Sequence, residues 1–124
     1  MDKKSGPYTN SAEEIWTAAR EAIKPFYEIK ILDQTKGLLE TNWHTLPGVM
    51  SGQGIRTKIY ISIKQDERGL YFIGVRAEIQ HNKNMAPLDH PEALQWESAG
   101  TDPDEATRFL ERIYILLLKP PAPK

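Results

Sequence analysis

The ten residues IRTKIYISIK, from Ile55 to Lys64, decide the fold that we predict for this chain. Apolar residues and one threonine occupy the odd positions, while polar, charged and tyrosine side chains occupy the even ones. Such alternation is typical of a strand in a sheet that is buried on one face only, and hence of antiparallel pairing. We therefore expect Ile59 and Ile61 to face a core, and Arg56, Lys58 and Tyr60 to face the other way.

Three further segments show the same alternation. LYFIGVRAEIQ, from Leu70 to Gln80, sends Tyr71, Ile73, Val75, Ala77 and Ile79 to one side. Upstream, one segment alternates at Tyr27, Ile29 and Ile31, and the next at Leu39, Thr41 and Trp43. The connections DQTKG and QDERG both end in glycine, as short hairpin loops do. The pattern predicts a four-stranded antiparallel meander.

The QDERG connection allows two registers for its hairpin. A three-residue loop at Glu67–Gly69 sets Lys58 opposite Glu78 and Tyr60 opposite Arg76, which are a charge pair and a cation–π pair. A five-residue loop instead sets Lys58 against Arg76, like charge against like. We predict the three-residue loop.

One predicted amphipathic helix precedes the strands in the sequence, and a second follows them. Ser11 and Glu14 have the spacing of a capping box, and Pro25 ends the apolar stripe that follows. A second helix begins at Asp102, because Pro103 suits the first helical position. The sequence therefore predicts an α+β domain of order α-β-β-β-β-α, with both helices packed on one face of the sheet.

We expect a flexible N-terminal segment at 1–10, a single domain at 11–118 and a Pro-rich tail at 119–124. An irregular stretch, 81–101, separates the last strand from the second helix. Trp96 within it either plugs the edge of the core or marks a contact site, and we favour the plug.

Composition excludes several kinds of function. The chain has 124 residues, with 16 Lys and Arg, 17 Asp and Glu, and no cysteine. The formal charge of −1 gives no bulk electrostatic reason for nucleic-acid binding. The absence of cysteine removes thiolate metal sites, disulfides and cysteine nucleophiles.

No catalytic or cofactor motif is apparent. The glycine-rich stretch 41–58 lacks the spacing of a phosphate-binding loop and leads into a strand, so we interpret it as a hairpin connection. The histidines, His44, His81 and His90, do not form a chelating motif, and we predict no metal. We expect neither a cofactor nor enzymatic activity.

The face of the sheet away from the helices is the more informative feature. It is expected to display aromatic and arginine side chains, which are enriched at recognition surfaces. Our candidate partner-binding residues are Arg56, Tyr60, Phe72, Arg76, His44 and Trp96. The alternative interpretation is a solvated face held together by cross-strand pairs.

Three segments, AEEIWTAAREAI, YEIKILDQTKGLLETNW and GIRTKIYISIK, together resemble small envelope lipoprotein domains of bacteria. The family they resemble is the C component of the β-barrel outer-membrane assembly machinery. The matching positions are Trp16, Asp33, Gly37, Leu39, Thr41, Trp43, Arg56 and Lys58. The resemblance implies a non-catalytic role in an envelope complex. No lipobox cysteine is present, so an envelope location requires an anchor and an export signal lost by trimming.

We therefore predict a non-catalytic protein-interaction module of the bacterial cell envelope that binds a protein partner, not nucleic acid, through the uncovered sheet face and adjacent loops. Its predicted location is the periplasm or envelope if an export signal was trimmed, and otherwise the cytoplasm. Membrane attachment would come through a lipid anchor alone. The alternative is a small-molecule or lipid carrier with a pocket between helices and sheet, lined by Trp16, Trp43 and Phe109.

Overall fold

A computed structural model describes residues 2–47, 54–83 and 95–118 of the protein. The strands are β1 (Lys3–Tyr8), β2 (Ile29–Asp33), β3 (Leu38–Thr41), β4 (His44–Pro47), β5 (Gly54–Gln65), β6 (Tyr71–Asn82) and β7 (Trp96–Thr101). The helices are α1 (Ala12–Ile23) and α2 (Pro103–Leu118). Among the residues described, no helix combines the length and apolar character that crossing a membrane requires.

All the strands belong to one antiparallel sheet, with the long hairpin β5–β6 at its centre. β3 and β4 pair with opposite halves of β5, and β2 lies outside β3. On the other side, β1 and β7 pair with opposite halves of β6. The predicted α+β class and antiparallel sheet are confirmed. The predicted number of four strands is wrong, because the described residues form seven strands of one sheet.

Of the three additional strands, β4 lies inside the glycine-rich stretch 41–58, and the other two lie where the sequence shows no repeating apolar pattern. β1 falls in the segment 1–10 that we predicted to be flexible, and it pairs with the first half of β6. β7 falls in the stretch 81–101 that we predicted to be irregular, and it pairs with the end of β6. Both are edge strands, held by backbone hydrogen bonds that any sequence can supply, so their side chains carry little signal.

The glycine-rich stretch connects two paired strands, as predicted. β4 and β5 run antiparallel, with Pro47 opposite Gly54. Residues 48–53 of this connection lie outside the described part of the chain, as do residues 84–94 of the second long loop and the tail 119–124.

The hydrophobic core lies between the sheet and the helices. Ile59 and Ile61 of β5 are completely buried, as predicted. They share one cluster with side chains from both helices, including Ile15, Phe109 and Ile113. Because these sheet residues all lie on the same face, both helices cover that face. We call the opposite face, which carries the even-numbered residues of β5 and β6, the open face.

Both predicted helix starts are confirmed. In the capping box of α1, the Ser11 hydroxyl accepts the backbone N–H of Glu14 at 3.2 Å, and the Ser11 N–H donates to the Glu14 carboxylate at 3.1 Å. Asp102 caps α2, where its carboxylate accepts the backbone N–H of Glu105 at 3.1 Å. These local bonds satisfy donors that have no partner inside the helix.

The hairpin register is also the predicted one. Lys58 lies opposite Glu78 and Tyr60 opposite Arg76. The loop is closed by the Asp66 N–H, which donates to the Leu70 carbonyl at 2.8 Å. This register fixes which side chains of β5 and β6 become neighbours on the open face.

The face of Ile31 differs from the prediction. The alternation of Tyr27, Ile29 and Ile31 predicts that all three face the same side. In the structure, Ile29 pairs with Thr41 and Ile31 pairs with Glu40, so β2 contains one residue more than β3 over this interval. The extra residue is a β-bulge, which turns the following side chains over. Ile31 therefore lies on the open face and is 40% exposed.

Candidate interaction surface

A row of alternating aromatic and cationic side chains runs across the open face. We call it the aromatic–cation ladder, and its members in order are Trp96, Arg56, Trp43, Lys58, Tyr60 and Arg76. The alternation of β5 supplies three of them and the register of β6 adds Arg76. Trp96 begins β7, and Trp43 lies between β3 and β4.

Arg56 lies between two indole rings. Its guanidinium carbon is 4.4 Å from the ring centroid of Trp43 and 4.4 Å from that of Trp96. Cation–π contacts of this kind contribute roughly 0.5–2 kcal/mol each, depending on desolvation. The Gln80 side-chain oxygen accepts hydrogen bonds from Arg56 Nε at 2.8 Å and Nη2 at 2.6 Å. Burial beneath these side chains lowers the pKa of Arg56.

Lys58 is the most buried cation of the ladder, with 7% of its surface exposed. Its ammonium group contacts the Glu40 carboxylate on β3 and lies 5.2 Å from the Tyr60 ring and 5.7 Å from the Trp43 ring. Burial alone would lower the pKa of Lys58, but the hydrogen bond to Glu40 and the proximity of Tyr60 outweigh it, so the pKa is raised. Lys58 therefore carries its charge at neutral pH.

Arg76 ends the ladder above Tyr60, at 4.6 Å from the ring centroid. This is the cation–π pair that the hairpin register predicts. Two carboxylates also lie near the Arg76 guanidinium: Glu78 at 3.4 Å and Asp2, which precedes β1, at 3.7 Å. Two of the three ladder cations thus have an acidic partner.

A second β-bulge places Trp43 on the open face. β3 pairs Leu38 with Ser62, whereas β4 pairs His44 with Thr57, so the β3–β4 side contains one residue more than β5 over the same interval. The extra residue reverses the side-chain direction between Thr41 and Trp43. Thr41 is buried toward the helices, while Trp43 contacts Arg56 and Lys58.

The ladder brings together four of the six predicted partner-binding residues: Arg56, Tyr60, Arg76 and Trp96. For Trp96, the interpretation as a core plug is wrong, since its ring stacks on Arg56 at the open face. Phe72 lies on the open face opposite Lys64, beside β1 and away from the ladder. His44 lies toward the helices, with its ring centroid 5.6 Å from that of Tyr27.

Three residues of the site were not among the predicted partner-binding residues: Lys58, which was expected on the open face, Trp43 and Gln80. Trp43 was expected on the helix side because strict alternation places it with Leu39 and Thr41, and a bulge is not visible in an alternating pattern. Gln80 was not singled out, although its position opposite Arg56 follows from the confirmed register.

The structure does not bring together the pocket predicted for a carrier. Trp16 and Phe109 are buried members of the core, with 6% and 0% exposure, and Trp43 lies on the other side of the sheet. The cavities found at the helices open at the periphery of the described residues. One of about 770 Å³ is lined by Arg20, Glu21, Lys24, Pro25, Phe26, Tyr27, Glu28 and Ile29.

No metal site is found in the parts of the chain that the structure describes, because no three His, Asp or Glu side chains there are grouped to hold an ion. His90, one of the three histidines considered, lies outside those parts.

Comparison with known proteins adds no family. No protein-family model matches the chain, and a search among curated proteins returns no match.

Proposed function

We propose that this chain is a non-catalytic protein-interaction module of the bacterial cell envelope, which binds a protein partner through the open face and the loops beside it. The observation that carries the proposal is the ladder, which concentrates two tryptophans, a tyrosine and two arginines on a face that no described helix covers. Trp, Tyr and Arg are the residue types that contribute most to binding at protein interfaces.

The chemistry of the ladder supports a binding role over a catalytic one. Lys58 contacts Glu40, and Arg76 lies near Glu78 and Asp2. These charges are paired along one face of a sheet, whereas catalytic acids and bases converge in a cleft. The packing of Trp16 and Phe109 into the core likewise favours a module over a carrier.

The envelope assignment rests on the resemblance to the C component of the outer-membrane assembly machinery. Four of the residues that carry the resemblance belong to the ladder or build it: Trp43, Arg56 and Lys58 are members, and Thr41 forms the bulge that presents Trp43. Two others, Asp33 and Gly37, shape the β2–β3 turn. The resemblance therefore includes positions that build the ladder.

A capture experiment tests the binding surface. Tagged wild-type protein and the double variant Tyr60→Ala/Trp96→Ala are incubated with solubilised envelope of the bacterium that encodes the chain, and retained proteins are quantified by mass spectrometry. The matched control is Tyr114→Ala/Ile115→Ala, which removes two exposed apolar side chains from α2. We expect a protein that is retained by the wild type and the control and depleted at least about tenfold by the ladder variant, as loss of hot-spot side chains predicts.

Equal retention by all three proteins would contradict the proposed surface, provided that circular dichroism shows the ladder variant to be folded. Cell fractionation of an epitope-tagged chromosomal copy tests the location separately. Recovery of the tagged protein in the cytosol alone would contradict the envelope assignment and leave the surface proposal unaffected.

A further inference from the structure

Arg56 differs from the other two ladder cations in its hydrogen bonds. Nε and Nη2 both donate to the neutral amide oxygen of Gln80. These bonds occupy the Nε–Nη2 edge of the guanidinium group. The remaining N–H groups, on Nη1 and Nη2, point from the end of the side chain. Among the described residues, no carboxylate pairs with Arg56, whereas Lys58 has Glu40 and Arg76 has Glu78 and Asp2.

The surroundings of Arg56 make it a suitable anion-binding group. The rings of Trp43, which lies between β3 and β4, and of Trp96 on β7 both restrict the guanidinium, so little conformational freedom is left to lose on binding. The same rings displace water from it, which strengthens a charge-assisted hydrogen bond. The lowered pKa of Arg56 has the same cause.

Building on the proposed function, we infer that the partner presents an aspartate or glutamate side chain on a peptide segment, and that its carboxylate binds the terminal N–H groups of Arg56 between Trp43 and Trp96. A planar carboxylate matches the paired N–H groups at the end of a guanidinium. The indole edges provide apolar contact for the residues on either side of the acid.

The charges around the ladder favour an acidic peptide over a nucleic acid. Asp2, Glu40 and Glu78 stand on the same face as Arg56. These carboxylates offset the charges of Lys58 and Arg76, so a phosphodiester chain that followed the ladder would gain net attraction only at Arg56, whereas a single carboxylate needs Arg56 alone. The formal net charge of −1 also provides no long-range attraction for a polyanion.

A displayed library of random peptides of about twelve residues is the first test. The library is selected on the wild type and counter-selected on Arg56→Gln. We expect the recovered sequences to be enriched in Asp or Glu at one fixed position, with apolar residues beside it. Recovery of sequences without an acidic preference, or of no binding sequence at all, would overturn the inference.

A double-mutant cycle on the best recovered peptide is the second test. Replacing its acid by the matching amide is expected to weaken binding to the wild type about tenfold or more, the usual effect of losing a charge-assisted hydrogen bond. The same replacement is expected to change binding to Arg56→Gln by less than about twofold, because the carboxylate then has no guanidinium partner. Arg76→Gln is the matched control. Replacing the peptide acid by its amide is expected to weaken binding to Arg76→Gln as much as it weakens binding to the wild type.

Three results would overturn the inference: an acid-to-amide effect that persists in Arg56→Gln, one that disappears in Arg76→Gln instead, or binding of an oligouridine of similar length more tightly than any selected peptide. Thermal unfolding of each variant confirms that it is folded, and Arg56→Lys provides a charge-retaining replacement if Arg56→Gln is not. If these tests fail while envelope capture still depends on Tyr60 and Trp96, the acidic-segment inference is wrong and the proposed function stands.

Discussion

The hydroxyl of Thr41 accepts the backbone N–H of Ile59 at 2.9 Å. Four residues further along each strand, the N–H of Ile63 donates to the carbonyl of Gly37, so a regular antiparallel hydrogen-bond pattern would direct the Ile59 N–H to the carbonyl of Thr41. The Thr41 hydroxyl thus accepts the hydrogen bond that the Thr41 carbonyl would accept in a regular sheet. This occurs where β3 ends, just before β4 begins. This replacement accommodates the bulge, and the bulge turns Trp43 toward Arg56.

Replacing Thr41 by valine tests this role. The side chain keeps its shape but loses the acceptor, which leaves the buried Ile59 N–H without its partner. We expect the free energy of unfolding to fall by about 1–3 kcal/mol, as measured by urea denaturation. Thr45→Val, at an exposed position of β4, is the control and is expected to change stability little. Equal effects of the two substitutions would contradict the role given to the Thr41 hydroxyl.

A double-mutant cycle measures the stacking of Arg56 on Trp96. Urea denaturation of the wild type, Arg56→Met, Trp96→Leu and the double variant is expected to give a coupling free energy of about 0.5–2 kcal/mol, because the two side chains are in cation–π contact. The cycle of Arg76→Met with Trp96→Leu is the control. Its coupling is expected to be near zero, since Arg76 stacks on Tyr60 at the other end of the ladder. Indistinguishable couplings would show that the contact adds no stability.

Two glycines with positive φ allow the cost of backbone strain to be measured separately from the cost of a steric collision. Gly37 has φ of 71° and Gly100 has φ of 92°. A Cβ added at Gly37 would collide with the backbone oxygen of Ile63, whereas one added at Gly100 would meet no atom within 4 Å. We expect Gly100→Ala to cost about 1–2 kcal/mol from the backbone conformation, and Gly37→Ala to cost roughly twice as much or more in the same denaturation experiment. Similar losses at both sites would contradict the collision.

Asp66 gives a pH-dependent prediction. Its carboxylate accepts the backbone N–H groups of Leu70 at 3.0 Å and Arg68 at 2.9 Å, and these bonds lower its pKa below 3.8. A lowered pKa in the folded state means that the stabilisation is present above pH 3.8 and is lost as the pH falls through the folded-state value. We expect Asp66→Asn to melt at a lower temperature than the wild type at pH 7. The difference should shrink on acidification below pH 3.8.

The neighbouring substitution Glu67→Gln is the control for Asp66, because Glu67 is exposed in the same loop. It is expected to leave the melting temperature close to that of the wild type throughout the series. A gap between Asp66→Asn and the wild type that stays constant with pH would contradict the assignment of the effect to the Asp66 carboxylate.

The sequence by itself determined the faces of β5 and β6, their register and both helix starts. Each of these follows from short-range geometry. Successive side chains of a strand point to opposite faces, a glycine with positive φ closes the loop ending at Gly69, and the caps at Ser11 and Asp102 involve residues three apart. For that reason, the sequence alone predicts that Tyr60 and Arg76 are neighbours.

Only the tertiary structure determined that β1 and β7 pair as edge strands and that Trp43 and Trp96 complete the ladder. β1 and β7 join the sheet through backbone N–H and C=O groups, which leave little trace in the side-chain pattern, so pairing depends on which edge of β6 remains open. The bulges after Ile29 and Thr41 depend on partners in distant strands, and each reverses the faces that alternation predicts. Trp43 and Trp96 meet at Arg56 because long-range strand pairing brings together residues that no local pattern connects.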